Sequence, residues 1–302
     1  MREWLRAQFR SVYERVLRRE ISGAPSHVAV IQDGNRRYAR ERGDDTATGH
    51  RVGAETTERV LDWCAELGVD ELTLYAFSTE NFNRPPDLCE HLFDLIEEKL
   101  YQFADADRVH EERVRVRAIG DTDRLPERVQ QAIDYAEAQT AGYDALTLNV
   151  AVAYGGRAEL LQAAREIGSA VDRGDLDPAD VTAETVEARL YDGAVRDVDL
   201  IVRTGGDERT SNFLPWHASG NEAAAFFCTP YWPEFSKIDF LRAIRTYEAR
   251  EVSWRRTRAK RALALVRALG GEVKEARRVL DRFRDYLPDA VEDEPTEQQP
   301  AD

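Results

Sequence analysis

The chain has 302 residues, 42% of them hydrophobic, which is enough for one large α/β domain with a buried core. Its formal net charge of −15 argues against nucleic acid as a partner, because binding to phosphate backbones requires an excess of basic residues. The three cysteines form no CxxC pair, which argues against a zinc site and a disulfide framework and predicts a cytoplasmic location. No apolar run reaches ~18 residues, which argues against a membrane span.

The first predicted element is an amphipathic helix over residues 1–22. Arginines cover most of its surface, and one apolar stripe recurs at helical spacing. The residues of that stripe are Leu5, Phe9, Val12, Val16 and Leu17. Two interpretations are open. The stripe packs on the rest of the protein, which we favour, or it lies on a membrane surface as a peripheral contact.

Strand-like and helix-like segments alternate after this helix. The predicted strands are residues 27–33, 71–77, 114–119, 146–153, 198–203 and 224–228. The predicted helices are residues 51–67, 88–110, 125–141, 157–172 and 183–191, with a further helical pattern from 237. Such alternation is typical of a single α/β domain in which helices flank a mostly parallel six-stranded sheet. The acidic residues 289–302 are predicted to form a disordered tail.

Four of the predicted strands end in polar clusters. These clusters are residues 33–35, 78–84, 154–157 and 203–212. Because parallel strands end at one edge of a sheet, we expect the clusters to meet there. Arginine forks bind phosphate oxygens, glycine allows a close approach of backbone N–H groups, and carboxylates suit Mg²⁺. The sequence therefore predicts a site for one or two diphosphates with a metal ion.

Each cluster taken alone has a structural explanation. The Asp33-Gly34-Asn35 triplet is a common tight turn, and arginines often form a solvated helix face. The sequence contains no phosphate-binding P-loop motif and no GxGxxG fingerprint at Gly34, which disfavours an unrelated nucleotide-binding enzyme. The functional interpretation gains its weight from the occurrence of all four clusters at corresponding strand ends.

The clusters, in this order, resemble the cis-prenyltransferases, the family of undecaprenyl and dehydrodolichyl diphosphate synthases. The resemblance runs from about His27 to Phe240. It rests on five blocks, at residues 27–40, 49–53, 74–84, 148–157 and 202–213, the last continuing to 232–235. The DGNRRYA form of the first block is similar to that of archaeal and eukaryotic members.

The resemblance implies an activity and a fold. Isopentenyl diphosphate would be condensed sequentially onto an allylic diphosphate, geranylgeranyl or farnesyl diphosphate. The product would be a long Z-polyprenyl diphosphate, a precursor of a glycosyl carrier lipid. Residues 23–288 would be the catalytic domain, with an apolar tunnel for the growing chain and Mg²⁺ as cofactor. A homodimer is implied as well.

The resemblance also implies roles for individual residues. The implied catalytic residues are Asp33 and Asn81, and the implied metal ligands are Asp33 and Glu222. The implied isopentenyl diphosphate site consists of Arg203, Arg209, Thr210 and Ser211. The implied allylic site consists of Gly34, Asn35, Arg36, Arg37, Tyr38, His50, Ser78, Thr79, Glu80, Phe82 and Arg84. The alternative is a non-catalytic regulatory subunit of the same fold, which the retained Asp33 and Arg203 disfavour.

Several positions depart from the family's pattern, among them residues 219–221 beside Glu222. Thr46 stands where many members have an arginine that contacts the allylic diphosphate, and Arg40 and Arg42 are the candidates to replace it. Phe82 replaces a common tryptophan. Residues 207–208 are Asp-Glu where some bacterial members have Glu-His.

The charged residues are unusual in kind. Only four of the 42 basic residues are lysine, and acids outnumber bases by 57 to 42. We favour a protein from a halophile, because high salt screens the self-repulsion of an acidic surface. A GC-rich genome, which favours arginine codons, is the alternative explanation for the scarcity of lysine.

Overall fold

The computed structural model describes residues 2–190, 196–218 and 223–268, with the backbone alone for 2–10, 254–259 and 261–268. The chain divides into two compact units, residues 1–247 and 248–302. All six strands and the candidate site lie in the first unit. The predicted tail at 289–302 and the predicted metal ligand Glu222 lie outside the described residues.

The described chain contains six strands and nine α-helices. The strands are β1 (His27–Ile31), β2 (Glu71–Tyr75), β3 (Val114–Ile119), β4 (Leu146–Ala151), β5 (Leu200–Arg203) and β6 (Ala224–Phe227). The helices are α1 (Arg2–Glu20), α2 (Asn35–Arg42), α3 (Thr46–Leu67), α4 (Pro86–Asp105), α5 (Asp107–Glu111), α6 (Glu127–Thr140), α7 (Gly156–Asp172), α8 (Ala183–Glu187) and α9 (Lys237–Ala268).

The strands form one sheet in the order β3-β4-β2-β1-β5-β6, and all neighbours are parallel. The prediction of a six-stranded, mostly parallel sheet is confirmed. In the central strand, Val28 pairs with Leu72 of β2 and with Leu200 of β5. Because every described strand runs in the same direction, the polar clusters that follow β1, β2, β4 and β5 meet at one edge.

Alternating side chains of the sheet pack on two faces. On one face, Val28 and Val30 pack with Val60 and Leu61 of α3 in a buried cluster that extends to α9. On the other face, Ala29 and Ile31 belong to a cluster around Phe213 and Leu214. A third cluster joins α4 to α6. Every residue of β1 is buried, which fits a central parallel strand covered on both sides.

The bounds of several elements differ from those that the sequence predicts. Strand β1 ends at Ile31, because the chain turns there and the Asp33 N–H donates to the Ile31 carbonyl (3.0 Å). The predicted helix at 88–110 is two helices, α4 and α5, separated at Ala106. Helix α3 begins five residues before its predicted start, because the Asp45 carboxylate accepts a hydrogen bond from the Thr48 N–H (2.7 Å) and caps it.

Helix α1 packs on the rest of the first unit through Leu17, which is fully buried. The prediction that Val12 and Val16 share one buried stripe with Leu17 is wrong, because they are 49% and 45% exposed. The side chains of Leu5 and Phe9 lie outside the described ones. Ion pairs from Arg18 to Glu66 (3.1 Å) and from Glu20 to Arg245 (3.0 Å) also hold the helix. None of the helices in the described part of the chain is long and apolar enough to cross a membrane.

Candidate active site

A cavity of about 1280 Å³ opens at the edge of the sheet where the strands end. Its walls are of two kinds. The polar wall comes from the loops after β1, β2 and β5. The apolar wall, between the sheet and α4, is formed by Leu74, Ala76, Leu92, Leu95, Ile96, Leu100, Phe103, Leu148 and Val150. A single cavity therefore combines a charged wall with an apolar wall.

The Asp33 carboxylate lies between two arginines. Its Oδ2 atom accepts a hydrogen bond from Arg203 Nη2 (2.7 Å), and its Oδ1 atom pairs with Arg37 Nη2 (3.2 Å). Burial alone would raise the pKa of Asp33, but the hydrogen bonds and charges of Arg203 and Arg37 lower it below its usual value. Asp33 is therefore ionised at neutral pH, as a metal ligand must be.

The loop that carries Asp33 is tied to β5 by one hydroxyl. Thr204 Oγ1 accepts from the Asp33 N–H (3.1 Å) and donates to the Asp33 carbonyl (2.7 Å). Both backbone groups of Asp33 are thus satisfied by a buried side chain of the neighbouring strand end. Sequence analysis missed Thr204, although its place directly after Arg203 was an available signal.

Arg203 joins the first strand end to the fifth. It is 3% exposed, and its Nη1 atom donates to Ser211 Oγ (2.5 Å) and to the Arg209 carbonyl (2.8 Å). Its Nη2 atom also contacts Asp207 (3.2 Å), which in turn pairs with the more exposed Arg209 (3.1 Å). Such a buried guanidinium holds Asp33 and the 207–211 loop in one arrangement.

Helix α2 begins at the floor of the polar wall with its first N–H groups uncapped. Gly34 precedes it with φ at 102°, a conformation that favours glycine. No side-chain hydrogen bond caps this N-terminus within the described structure. The first-turn N–H groups of Asn35, Arg36 and Arg37 are therefore directed toward an anion-binding position.

The polar wall also carries the positive charges of Arg36 and Arg84. Arg36 and Arg84 form no ion pair with a described residue, and burial followed by the neighbouring Arg36 lowers the pKa of Arg84. His50 is 8% exposed and stacks on His91, with ring centroids 5.9 Å apart. Burial, and then the charges of His91, Arg84 and Arg36, lower the pKa of His50 to about 4. The imidazole is therefore neutral at neutral pH.

The loop after β2 is held by its own side chains. The Asn81 Oδ1 atom accepts from the Ser78 N–H (3.0 Å), while the Asn81 N–H donates to the Ser78 carbonyl (2.9 Å). The amide oxygen of Asn81 is thus engaged, and its amide nitrogen remains as a donor. Asn81 lines the cavity together with Ser78 and Glu80.

The cavity brings together most of the predicted site residues. Those that line it are Asp33, Gly34, Asn35, Arg36, Arg37, His50, Ser78, Glu80, Asn81, Arg84, Arg203, Arg209 and Ser211. Those that the described structure places outside the lining are Tyr38, Thr79, Phe82 and Thr210. Phe82 instead packs on Phe77, with ring centroids 5.0 Å apart. The Thr79 side chain packs against Gly155.

The two candidates to replace the arginine missing at Thr46 differ in position. Arg40 lines the cavity with Thr46, whereas Arg42 does not. Arg42 pairs with Glu234 (2.9 Å) and lies over the Tyr38 ring, 3.9 Å from its centroid. Arg40 is therefore the better placed of the two.

Comparison with known proteins agrees with this geometry. A family model described as "Putative undecaprenyl diphosphate synthase" matches residues 31–255. A protein of Halobacterium salinarum, named tritrans,polycis-undecaprenyl-diphosphate synthase (geranylgeranyl-diphosphate specific), is 73% identical over 292 residues, 97% of each chain. A protein of the same name from Haloarcula marismortui is 67% identical over 92% of each chain.

Two solved structures share the fold. The first is lavandulyl diphosphate synthase from Lavandula x intermedia in complex with dimethylallyl diphosphate, with a TM-score of 0.69 and 33% identity. The second is a probable undecaprenyl diphosphate synthase from Campylobacter jejuni, with a TM-score of 0.60 and 31% identity. Each match covers 74% of this chain and 95% of the other. The chain is therefore a prenyl-transferring enzyme that belongs to the undecaprenyl diphosphate synthase family, the cis-prenyltransferases.

Proposed function

We propose that this protein condenses isopentenyl diphosphate repeatedly onto geranylgeranyl diphosphate to give a tritrans,polycis-undecaprenyl diphosphate. The relatives from Halobacterium salinarum, Haloarcula marismortui and Methanosarcina mazei are all named as geranylgeranyl-specific synthases, and none of the three as a regulatory subunit. The observation that carries the proposal is the Asp33 carboxylate, set between Arg37 and Arg203 in a cavity that continues into an apolar wall.

The allylic diphosphate is assigned to the N-terminus of α2. The uncapped N–H groups there supply hydrogen-bond donors. The guanidinium groups of Arg36 and Arg84 line the same cavity and supply positive charge. Neither arginine pairs with a described carboxylate, so no ion pair has to break when a diphosphate binds. Neutral His50 offers a hydrogen bond at the same wall, because its buried Nδ1 atom has no partner within the described structure. Isopentenyl diphosphate is assigned to Arg209 and Ser211, beside the buried Arg203, all three of which line the cavity.

Mg²⁺ is the proposed cofactor, and the residues fit a metal held partly by substrate. The described residues contain no group of three or more His, Cys, Asp or Glu side chains arranged to hold a metal ion. Asp33 would therefore share the ion with diphosphate oxygens, which are hard ligands of the kind that Mg²⁺ prefers. The ion would withdraw charge from the departing diphosphate. Glu222 remains the proposed second ligand.

In the reaction, the allylic carbon–oxygen bond breaks and negative charge grows on the leaving diphosphate. The N–H groups of α2 and the guanidinium groups of Arg36, Arg37 and Arg84 stabilise that charge. The double bond of isopentenyl diphosphate attacks the allylic carbon, and loss of a proton forms the new Z double bond. Since the Asn81 oxygen is engaged by Ser78, Asn81 positions a diphosphate by donating from its amide rather than by accepting the proton.

The proposal is tested by incubating the protein with Mg²⁺, labelled isopentenyl diphosphate and either geranylgeranyl or farnesyl diphosphate, at low and at molar salt. We expect elongated products, with a higher kcat/KM for geranylgeranyl diphosphate. Absence of elongation under all conditions contradicts the activity, and a preference for farnesyl diphosphate contradicts the assigned primer. Omission of Mg²⁺ with added chelator tests the cofactor.

Replacement of Asp33 by alanine tests the assigned metal role. The variant loses the proposed ligand and leaves the buried Arg203 without its closest carboxylate partner, so we expect turnover to fall by at least about 10³-fold. Circular dichroism checks that the fold is retained. A control, Asp177→Ala, removes the cap of a short turn at Pro178–Asp180 outside the cavity and should leave turnover unchanged. Full activity of Asp33→Ala would refute the metal role.

A homodimer and a cytoplasmic location with peripheral membrane contact complete the proposal. Light scattering in molar salt tests the homodimer, which we expect at twice the mass of the chain. Val12 and Val16 of α1 are exposed beside Arg15 and Arg19, and product chains partition into membranes. Flotation with anionic vesicles tests this contact, with Val12→Ser/Val16→Ser as the variant that should lose it.

A further inference from the structure

The segment of residues 228–232 connects the two halves of the polar wall. The Gly205 N–H donates to the Pro230 carbonyl (2.8 Å), and the Trp232 N–H donates to the Asp33 carbonyl (3.0 Å). One short segment thus binds both the loop after β5 and the loop after β1. Tyr231 lies between Pro230 and Trp232, which make these two contacts, and sequence analysis assigned it no role in the site.

The Tyr231 ring packs on the turn that begins α2. A Cβ atom built on Gly34 would lie 2.6 Å from Cδ1 of the ring, so glycine is needed there for space as well as for its positive φ. The Tyr231 hydroxyl donates to Glu41 Oε1 (2.5 Å), one helical turn beyond Arg37. The ring is therefore held at both ends, by the backbone of residues 230–232 and by α2.

The face of the same ring supports Arg37. The Arg37 guanidinium carbon is 5.4 Å from the ring centroid, within the range of a cation–π contact. Contact with the ring face uses none of the in-plane N–H donors of the guanidinium. It therefore orients Arg37 and leaves the donors that do not face Asp33 for phosphate oxygens. The acid partner of Arg37 is Asp33, whose hold on Arg37 weakens once Asp33 binds a cation.

We propose that Tyr231 is a positioning residue, whose ring holds the Arg37 guanidinium and the Gly34 turn in the arrangement that receives the allylic diphosphate. This inference rests on the proposed function. It extends that function by naming a side chain, from the far end of the sequence, that acts on the allylic diphosphate through Arg37. Isopentenyl diphosphate, assigned to Arg209 and Ser211, should be unaffected by it.

The test compares Tyr231→Ala with Tyr231→Phe. We expect Tyr231→Ala to raise the KM for geranylgeranyl diphosphate by about tenfold, with the KM for isopentenyl diphosphate within twofold of wild type. Tyr231→Phe keeps the ring and should restore most of the loss. In an Arg37→Ala background, Tyr231→Ala should add a clearly smaller change than in the wild type, because only its contact with the Gly34 turn remains.

The matched control is Tyr143→Ala. Tyr143 also lies under an arginine, with the Arg113 guanidinium carbon 5.6 Å from the ring centroid, but neither residue lines the cavity. That variant should change neither KM. The inference is overturned if Tyr231→Ala leaves the allylic KM unchanged, if it raises both KM values together, or if its effect adds fully to that of Arg37→Ala.

A direct binding measurement separates this inference from the proposed function. Should the wild type fail to elongate any primer, the proposed function fails, and calorimetry with inorganic diphosphate and Mg²⁺ still tests Tyr231. About tenfold weaker binding to Tyr231→Ala than to wild type, with Tyr231→Phe close to wild type, supports the positioning role. Equal binding to all three proteins overturns it.

Discussion

At the residue scale, the site depends on one buried cation that satisfies several acceptors at once. Arg203 is almost fully buried, and partners are needed to offset the cost of burying such a charge. Its two Nη atoms contact Asp33, Asp207, Ser211 and the Arg209 carbonyl, whereas its Nε atom has no partner within the described structure. The guanidinium fork therefore links the strand end that carries Asp33, the proposed metal ligand, to the loop assigned to isopentenyl diphosphate.

Buried neutral histidines predict how stability depends on pH. The pKa of His50 is about 4 in the folded protein, mainly because of burial, against about 6.5 in the unfolded chain. Between these values the unfolded chain binds a proton that the folded protein does not, so the free energy of unfolding falls as the pH is lowered from about 6.5 to 4. This group alone lowers it by about 3 kcal/mol at most.

Denaturant unfolding of wild type and His50→Gln across this pH range measures the effect. We expect a smaller loss of stability in the variant, although burial also lowers the pKa of His27 and His217, so part of the slope remains. His110→Gln, which removes a hydrogen bond to Tyr143 outside the cavity, is the control and should keep the full slope. An unchanged slope in His50→Gln contradicts the assignment.

At the element scale, the start of α2 depends on a backbone that only glycine provides. Gly34→Ala places a side chain at positive φ and drives its Cβ into the Tyr231 ring. We expect a loss of about 1–2 kcal/mol from the backbone alone and a raised KM for geranylgeranyl diphosphate, because the N-terminus of α2 shifts. Thermal unfolding and steady-state kinetics check the two effects.

Gly43→Ala is the matched control for that prediction. Gly43 ends α2, also has a positive φ, and has nothing within 4 Å of a built Cβ atom. It should share the loss of stability but keep the wild-type KM. If both variants raise the KM equally, strain in α2 rather than the geometry of its N-terminus is responsible.

The apolar space between α4 and the sheet should limit the length of the product chain. Ala76 lines the apolar part of the cavity. Ala76→Phe fills part of the apolar space, so we expect shorter products on chromatography of labelled chains. Ala76→Ser keeps the volume and should keep the length. An unchanged product with Ala76→Phe would show that the chain follows another path.

At the scale of the whole molecule, the sequence was informative where function depends on strand order. Apolar runs predicted all six strands, and parallel alternation then placed their polar ends together. It was less informative where contacts are distant. Tyr231 packs on Gly34 across nearly two hundred residues, and no local periodicity signals such a contact. Phe82 likewise packs on Phe77, a contact that the polar cluster at residues 78–84 does not indicate.

Net charge gives the last prediction. Acids outnumber bases by 57 to 42, so repulsion between acidic surfaces opposes folding at low salt. Raising ionic strength from about 0.1 to 1 M shortens the screening length from ~10 to ~3 Å and should raise the Tm. Surface ion pairs such as Arg113–Asp144 weaken too, but each contributes little. The half-buried Arg203–Asp33 pair is screened less and should still hold the two strand ends together.

Calorimetry from 0.1 to 3 M KCl measures the change in Tm, with sucrose as a control for nonspecific stabilisation. A Tm that does not rise with KCl would favour codon bias as the reason for the scarce lysine.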